Sequence, residues 1–240
     1  MSRRFHDRQP FSANVITDLG ADASHHIGRV LRMRVGDEIV VFNGDGGEWT
    51  ARIDAISKKA VSVLPLQLHE IDRCPAIQVT CLLPPIKGER MDYALQKATE
   101  LGAARFQLLQ TEHGDVRLSG ERLEKKLGHW QRVVISACEQ CGMNRVPEVL
   151  PPISFAEAIA NTDASLKLIG QPGAPALSAE RLHDIDSIAL LTGPEGGFSD
   201  DELEQARAAG FQGFSLGERV LRAETAPVAV LGMLLGLAGG

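Results

Sequence analysis

Ser187-Ile188-Ala189-Leu190-Leu191-Thr192 runs directly into Gly193-Pro194-Glu195-Gly196-Gly197-Phe198. Further on, Phe214-Ser215-Leu216-Gly217 runs into Glu218-Arg219-Val220-Leu221-Arg222-Ala223-Glu224-Thr225-Ala226. An apolar run cut off by Gly-Pro is the pattern of a buried strand that delivers a tight loop. Ser199, followed three residues later by Glu202, fits a capping box, so a helix is predicted just beyond the first loop. Strand, glycine loop and helix start in succession is how an open α/β sheet makes a ligand crevice at the carboxyl edge of its strands.

These loops are not phosphate cradles. Neither contains G-x-G-x-x-G, and no Lys-Ser or Lys-Thr pair follows to make a P-loop. Residues 186–240 hold eight acidic and three basic side chains, a poor setting for a polyanion and a tolerable one for a cation. A single loop of this kind reads as a plain turn, whereas two in succession point to a binding rim. Residues 165–169, followed by Gly170-Gln171-Pro172-Gly173, predict a third exit of the same kind. In a parallel sheet all three would open at one edge.

Working outward, residues 77–83 read as a buried strand stopped by Pro84-Pro85. Residues 88–101 read as a helix with Met91, Ala94, Leu95, Ala98 and Leu101 on one face, closed by Gly102. A strand at 106–109 and a long helix at 121–141 follow, the helix with Leu123, Leu127, Trp130, Val134, Ala137 and Cys141 in register. Ser154 and Glu157 form a second capping-box pattern. Strands and helices alternating in this way predict an α/β fold, a parallel sheet with helices on both faces. The last helix, 224–237, tolerates Pro227 in its first turn. It is apolar almost all round, with Gly232 and Gly236 four apart, and must be buried within the chain or against a second copy.

The first 72 residues have a different texture. Strands at 37–42 and 48–56 flank Asn43-Gly44-Asp45-Gly46-Gly47, a hairpin signal. Residues 60–66 give a third strand and 13–17 a fourth, with a helix over 22–34 that carries His25, His26, Arg29, Arg32 and Arg34. Adjacent histidines on a helix do not face one way, so packing or stacking suits them better than a metal. The arginine cluster fits RNA backbone docking and a solvated helix face equally well. Polar residues 67–75, ending Cys74-Pro75, read as a linker, giving domains at 1–72 and 73–240.

At 44% apolar and 23% charged residues the composition is that of an ordinary globular protein. A net charge of −6 argues against the chain binding a polyanion as an overall polycation, so an RNA-binding version must gather its basic groups locally. Cys138 and Cys141 are spaced as C-x-x-C, but no second pair or zinc-spaced histidines accompany them; Cys74, Cys81, Cys138 and Cys141 read as reduced, buried thiols. Arg3-Arg4 lacks the apolar run of an export signal, and the apolar stretch 226–240 is too short to span a bilayer, so a cytoplasmic protein is expected.

The two loop motifs, together with Gln96-Lys97-Ala98-Thr99-Glu100-Leu101-Gly102, Ala137-Cys138-Glu139-Gln140-Cys141-Gly142 and Asn144-Arg145-Val146-Pro147, closely resemble the RsmE family along the whole chain. These are uridine-N3 methyltransferases of 16S ribosomal RNA, in the SPOUT superfamily. The resemblance implies an N-terminal PUA-like β-barrel and a trefoil-knotted SPOUT domain that grips S-adenosylmethionine, in a homodimer acting on the small ribosomal subunit near its decoding centre. It implies cofactor contacts from Gly193, Glu195, Gly196, Gly197, Leu216, Gly217, Val220, Leu221 and Gln171. Arg222 is expected to stabilise the uracil oxygens or orient a phosphate, and Glu224 to position the base or take its proton. Asn144 and Arg145 are expected at the substrate, and Arg3, Arg4, Arg29, Arg32, Arg34, Lys87 and Arg90 on RNA. Lys125, Lys126 and Arg132 are further phosphate candidates, and no metal is implied. Met143 stands where the family usually carries arginine.

Overall fold

The structure, a computed structural model, describes residues 3–238. The chain divides into two compact units: residues up to Cys74 with Cys138–Val146, and Pro75–Ala137 with Pro147 onward.

In the first unit a five-stranded sheet has the order β1-β3-β4-β5-β2. Its strands are β1 (Arg4–His6), β2 (Thr17–Asp18), β3 (Glu38–Phe42), β4 (Glu48–Ile56) and β5 (Val61–His69). β1 runs parallel to β3, and the remaining pairs are antiparallel. Asp7, buried just beyond β1, accepts a 2.6 Å bond from the Gly20 amide just beyond β2, so one carboxylate ties the two edge strands together. Phe5, Phe11, Ile27, Ile39, Val41, Ile53, Val61 and Val63 fill the interior. The strands expected at 37–42, 48–56 and 60–66 are present, but residues 13–17 supply only the start of β2, and β1 was not anticipated. The helix expected over 22–34 is shorter: α1 (Ala21–His25) passes into a π-helical turn, His26–Val30. Arg32 adopts a left-handed conformation (φ 51°), Met33 folds its amide back to the Ile27 carbonyl, and the Asp37 carboxylate takes the Arg34 amide at 2.9 Å. That last bond removes the donor a continuing helix would need.

The second unit is built on a six-stranded, all-parallel sheet ordered β11-β9-β10-β6-β7-β8. In chain order its elements are β6 (Gln78–Leu83), α2 (Glu89–Glu100), β7 (Ala103–Gln110), α3 (Gly120–Cys141), β8 (Glu148–Ser154), α4 (Phe155–Asn161) and β9 (Leu166–Gly170). A short 3-10 turn (Ala179–Leu182) precedes β10 (Ser187–Leu191), α5 (Asp200–Ala208), β11 (Gln212–Phe214) and α6 (Thr225–Ala238). Every residue of β10 after Ser187 is buried, as expected of a strand covered on both faces. α4 and α5 cover one face, packing Phe155, Ile159 and Ala206, with Phe211 from the turn after α5, against Leu82, Leu109, Ile169, Ala189 and Leu191. α2 packs on β7 and on α6.

β8 was not foreseen, because Pro151 and Pro152 argue against a strand. It lies at the sheet edge, where one of two adjacent missing amides faces outward, and the ladder to β7 shifts register at the prolines to absorb the other. The Gln107 side chain bonds the Pro151 carbonyl at 2.7 Å across a register shift. Both capping sites form: Ser199 and Glu202 bond reciprocally, whereas at Ser154 only the hydroxyl half is made.

Candidate active site

Because β11, β9 and β10 are parallel neighbours, their three exits open at one rim. The first two are stitched by backbone: the Gln171 amide donates to Phe214 O at 2.9 Å, the Ser215 amide donates to Pro175 O at 3.1 Å, and Ala176 bridges Ser215. The third, 192–199, starts at buried Thr192, whose amide donates to Leu82 O at 3.1 Å, and ends at the Ser199 cap of α5.

Two more strand exits join this rim from β6 and β7. Arg90 on α2 pairs with Glu195 at 3.0 Å, so an arginine expected on RNA instead meets a residue expected at the cofactor. From β7, the Glu112 amide bonds the buried Glu202 carboxylate at 2.9 Å, and a His113 ring nitrogen lies 3.3 Å from Gly197 O. A Cβ at Gly196 would stand 2.9 Å from His113 Cβ, closer than side chains tolerate, so only glycine permits these loops to touch. Gly217 (φ 97°) is the left-handed hinge of the loop that leaves β11. Thr111, whose buried hydroxyl has no partner among the described residues, and His113 carry no motif that marks them in the sequence. The available cue was a strand continuing through Gln110 into Thr111-Glu112-His113-Gly114, an exit parallel to the others.

Glu224 carries the sharpest polar anomaly. The residue is 8% exposed, and its Oε2 has no hydrogen-bond partner among the described residues. A buried carboxylate oxygen without a partner costs free energy, which is tolerated where a ligand or substrate completes it. It closes the β11–α6 segment, where the Arg222 carbonyl accepts from the Thr225 and Ala226 amides and its side chain is left in solvent. Val220 is 86% exposed and Leu221 half-buried. The Gln171 side chain reaches toward Gly213 and Arg207.

Asn144 lies elsewhere, in the first unit. It is fully buried, its Oδ1 accepting from Arg4 at 2.7 Å and its Nδ2 donating to Ile71 O at 2.6 Å. Both ends of the amide hold the chain, and at 0% exposure Asn144 presents no surface to a substrate. Arg4, expected on RNA, is also buried, in an ion pair with Glu48 that Arg73 joins at 2.9 Å. Burial by itself would raise the Glu48 pKa; the hydrogen bonds from Arg73 and Arg4 more than reverse that and bring it to about 2. Arg145 is over half exposed and pairs with Asp72 at 2.7 Å, a bond that lowers the Asp72 pKa. Arg3, Arg29, Arg32, Arg34 and Lys87 are exposed. Met143 is 5% exposed and packs with Phe42, Cys138, Cys74, Cys141 and Val146, so its position does not present charge to a ligand. The cysteines are free, but only Cys81 and Cys138 are buried, Cys74 and Cys141 being half-buried; burial raises Cys74 to about 11 and Cys81 to about 12, which leaves those two as inert thiols. Among the described residues no cluster could hold a metal, and no helix is long and apolar enough to cross a membrane.

The chain matches the RNA methyltransferase domain family over residues 73–235 and the RNA methyltransferase PUA domain family over residues 19–66. It is 35% identical to Ribosomal RNA small subunit methyltransferase E of Synechocystis, covering 88% of this chain and 69% of that protein. It is 31% identical to the protein of that name from Bacillus subtilis, covering 86% and 84%. A Neisseria gonorrhoeae Ribosomal RNA small subunit methyltransferase E bound to S-adenosyl methionine superposes with TM-score 0.90 at 35% identity, covering 99% of this chain and 98% of that one. A Legionella pneumophila structure in complex with the bound cofactor SAM gives 0.93 at 35% identity, covering 98% of both.

Proposed function

Since the chain belongs to the ribosomal RNA small subunit methyltransferase E family, we propose that it is an S-adenosylmethionine-dependent methyltransferase whose target is N3 of a uridine in 16S ribosomal RNA, near the decoding centre. The reading is carried by one observation: the buried Glu224 carboxylate, whose Oε2 has no partner among the described residues, on the segment that leaves β11 at the glycine-loop rim. A loop set rich in backbone and carboxylate fits a cationic nucleoside better than a polyanion. Backbone of Gly193, Glu195, Gly196, Gly197, Leu216, Gly217, Val220 and Leu221 would hold the cofactor, with Gln171 at the margin. The trefoil threading implied by the family would fix these loops against each other.

When bound, S-adenosylmethionine supplies a methyl group on a sulfonium, ready for in-line displacement. The protein then has two tasks, alignment and charge control. Uracil N3 must lose a proton before it can attack, and the buried Glu224 carboxylate would accept it or hold the base. The exposed Arg222 guanidinium would stabilise the negative charge that spreads onto the uracil oxygens. Arg145 and the exposed Arg3, Arg29, Arg32, Arg34 and Lys87 would hold RNA phosphates, whereas Arg4 and Asn144 act by holding the fold. The same reading places the enzyme in the cytoplasm, as a homodimer joined through α6.

The test is methyl transfer to small ribosomal subunits lacking the modification, with 16S nucleosides resolved by mass spectrometry. N3-methyluridine is expected, at one position. A protein that binds the cofactor yet leaves the subunits unmodified would be a binding or assembly factor instead.

A further inference from the structure

The long helix α3 carries a second charged feature that the rim chemistry does not use. Arg122, Lys125, Lys126, His129 and Arg132 recur at helical spacing, which places them within one arc of about 120°. Arg122, Lys125 and Arg132 are exposed, and Lys126 and His129 are half-buried. With Glu121, the first four line an open groove of about 500 Å³. For a chain of net charge −6 this is a local concentration of the opposite sign.

The arc is weakly neutralised. Lys125 meets Glu121 at 3.7 Å, but both side chains are over 80% exposed, and such a pair is worth almost nothing. His129 bonds Asp92 of α2 at 2.7 Å. Among the described residues, Arg122 and Lys126 have no ion-pair partner. The position is equally telling. α3 follows β7 through residues 111–119, and Arg117 reaches back to Thr111 O at 3.0 Å, so the helix sets out from the rim where the loops meet. From Arg122 to Arg132 it rises about 15 Å, enough to follow several phosphates of one strand.

We infer that this basic face of α3 is a docking track for the phosphate backbone of the RNA substrate, leading from the loop rim along the helix and indifferent to base sequence. The inference rests on the methyltransferase reading for the identity of that RNA. A protein partner is disfavoured because the groove is lined by four charged side chains and one imidazole, without the large aromatic or aliphatic anchor that concentrates binding energy at protein interfaces. Spaced cations on flexible stems are sufficient for phosphate.

The test is the triple variant R122A/K125A/K126A, whose positions are solvent-facing or half-exposed and lie outside the cofactor loops. Binding to a 16S ribosomal RNA fragment is measured across a salt series, beside KM and kcat for methyl transfer and calorimetric affinity for S-adenosylmethionine. The salt slope should fall by about 2–3 and KM for RNA should rise about tenfold or more, with kcat and cofactor affinity unchanged. An unchanged salt slope would reduce the track to a solvated helix face and overturn the inference. An unchanged slope on naked RNA with lost binding to whole subunits would assign the face to an acidic ribosomal protein, which also overturns it. If the wild type binds RNA and the variant loses slope, but neither methylates, the docking inference stands and the catalytic reading fails.

Discussion

At the residue scale two side chains decide most. Glu224→Gln removes a buried charge while keeping the shape, and it should leave stability unchanged or slightly higher, because an unpartnered carboxylate is costly to bury. Methyl transfer should fall by about 100-fold if the carboxylate takes the N3 proton, in line with the usual contribution of a general base. Single-turnover kinetics beside urea denaturation separates the two effects; full activity with lost stability would mean that Glu224 only complements the start of α6. Met143 makes a contrasting case. Read from sequence, an arginine there would add charge for RNA, but the side chain is packed among Phe42 and three cysteines. Met143→Arg is therefore expected to destabilise the first unit by roughly 3 kcal/mol or more, since a buried charge has no partner there. Denaturant midpoints measure this, and a variant as stable as the wild type would show that the position can open to solvent.

At the scale of elements, α6 is the least settled by its own chain. Its buried side, Val230, Leu231 and Leu234, faces the body of the unit. Gly232 and Gly236 are exposed, and a Cβ at either would meet nothing within 4 Å. Alanine at both should thus be harmless within one chain and favour the helix by up to about 1 kcal/mol each. Small residues four apart allow a second helix to approach closely. If that helix belongs to another copy, Gly232→Leu/Gly236→Leu should turn a dimer into monomer by sedimentation velocity, with the helical circular dichroism preserved. A dimer that survives both leucines would place the contact elsewhere. Elements were legible where periodicity was strong, as in α2, α3, β4 and β10. They were lost where tertiary contacts override local pattern: β1 carries Arg4 and His6 yet is paired and buried, and β8 keeps two prolines because it lies at an edge.

At the scale of the whole molecule, acid is the informative perturbation. Glu48 is held at about 2 in the folded chain against 4.5 ordinarily, so its ion pairs stabilise fully above about pH 5 and are lost as pH falls toward 2. Glu139, whose pKa burial raises, acts in the opposite sense and offsets part of that slope. Glu48→Gln should flatten the fall of stability between about pH 5 and pH 2 and lower stability at neutral pH, because Arg4 is then buried beside a neutral amide. Urea midpoints across that range are the measurement; parallel curves for wild type and variant would show that the network contributes nothing through Glu48 ionisation.

By itself the sequence determined the parallel α/β sheet, the capping box behind the first glycine loop and the three exits at one rim. Each of these is set by local pattern: apolar runs, glycine and proline punctuation, and a Ser-x-x-Glu cap. Only the tertiary structure decided that Asn144 and Arg4 are tied up in a buried network, that Arg90 pairs with Glu195, that His113 presses against Gly196 and that one oxygen of Glu224 is left unmatched. Those outcomes depend on which distant residues meet, and burial with its hydrogen-bond accounting is a property of the packed chain that no local stretch encodes.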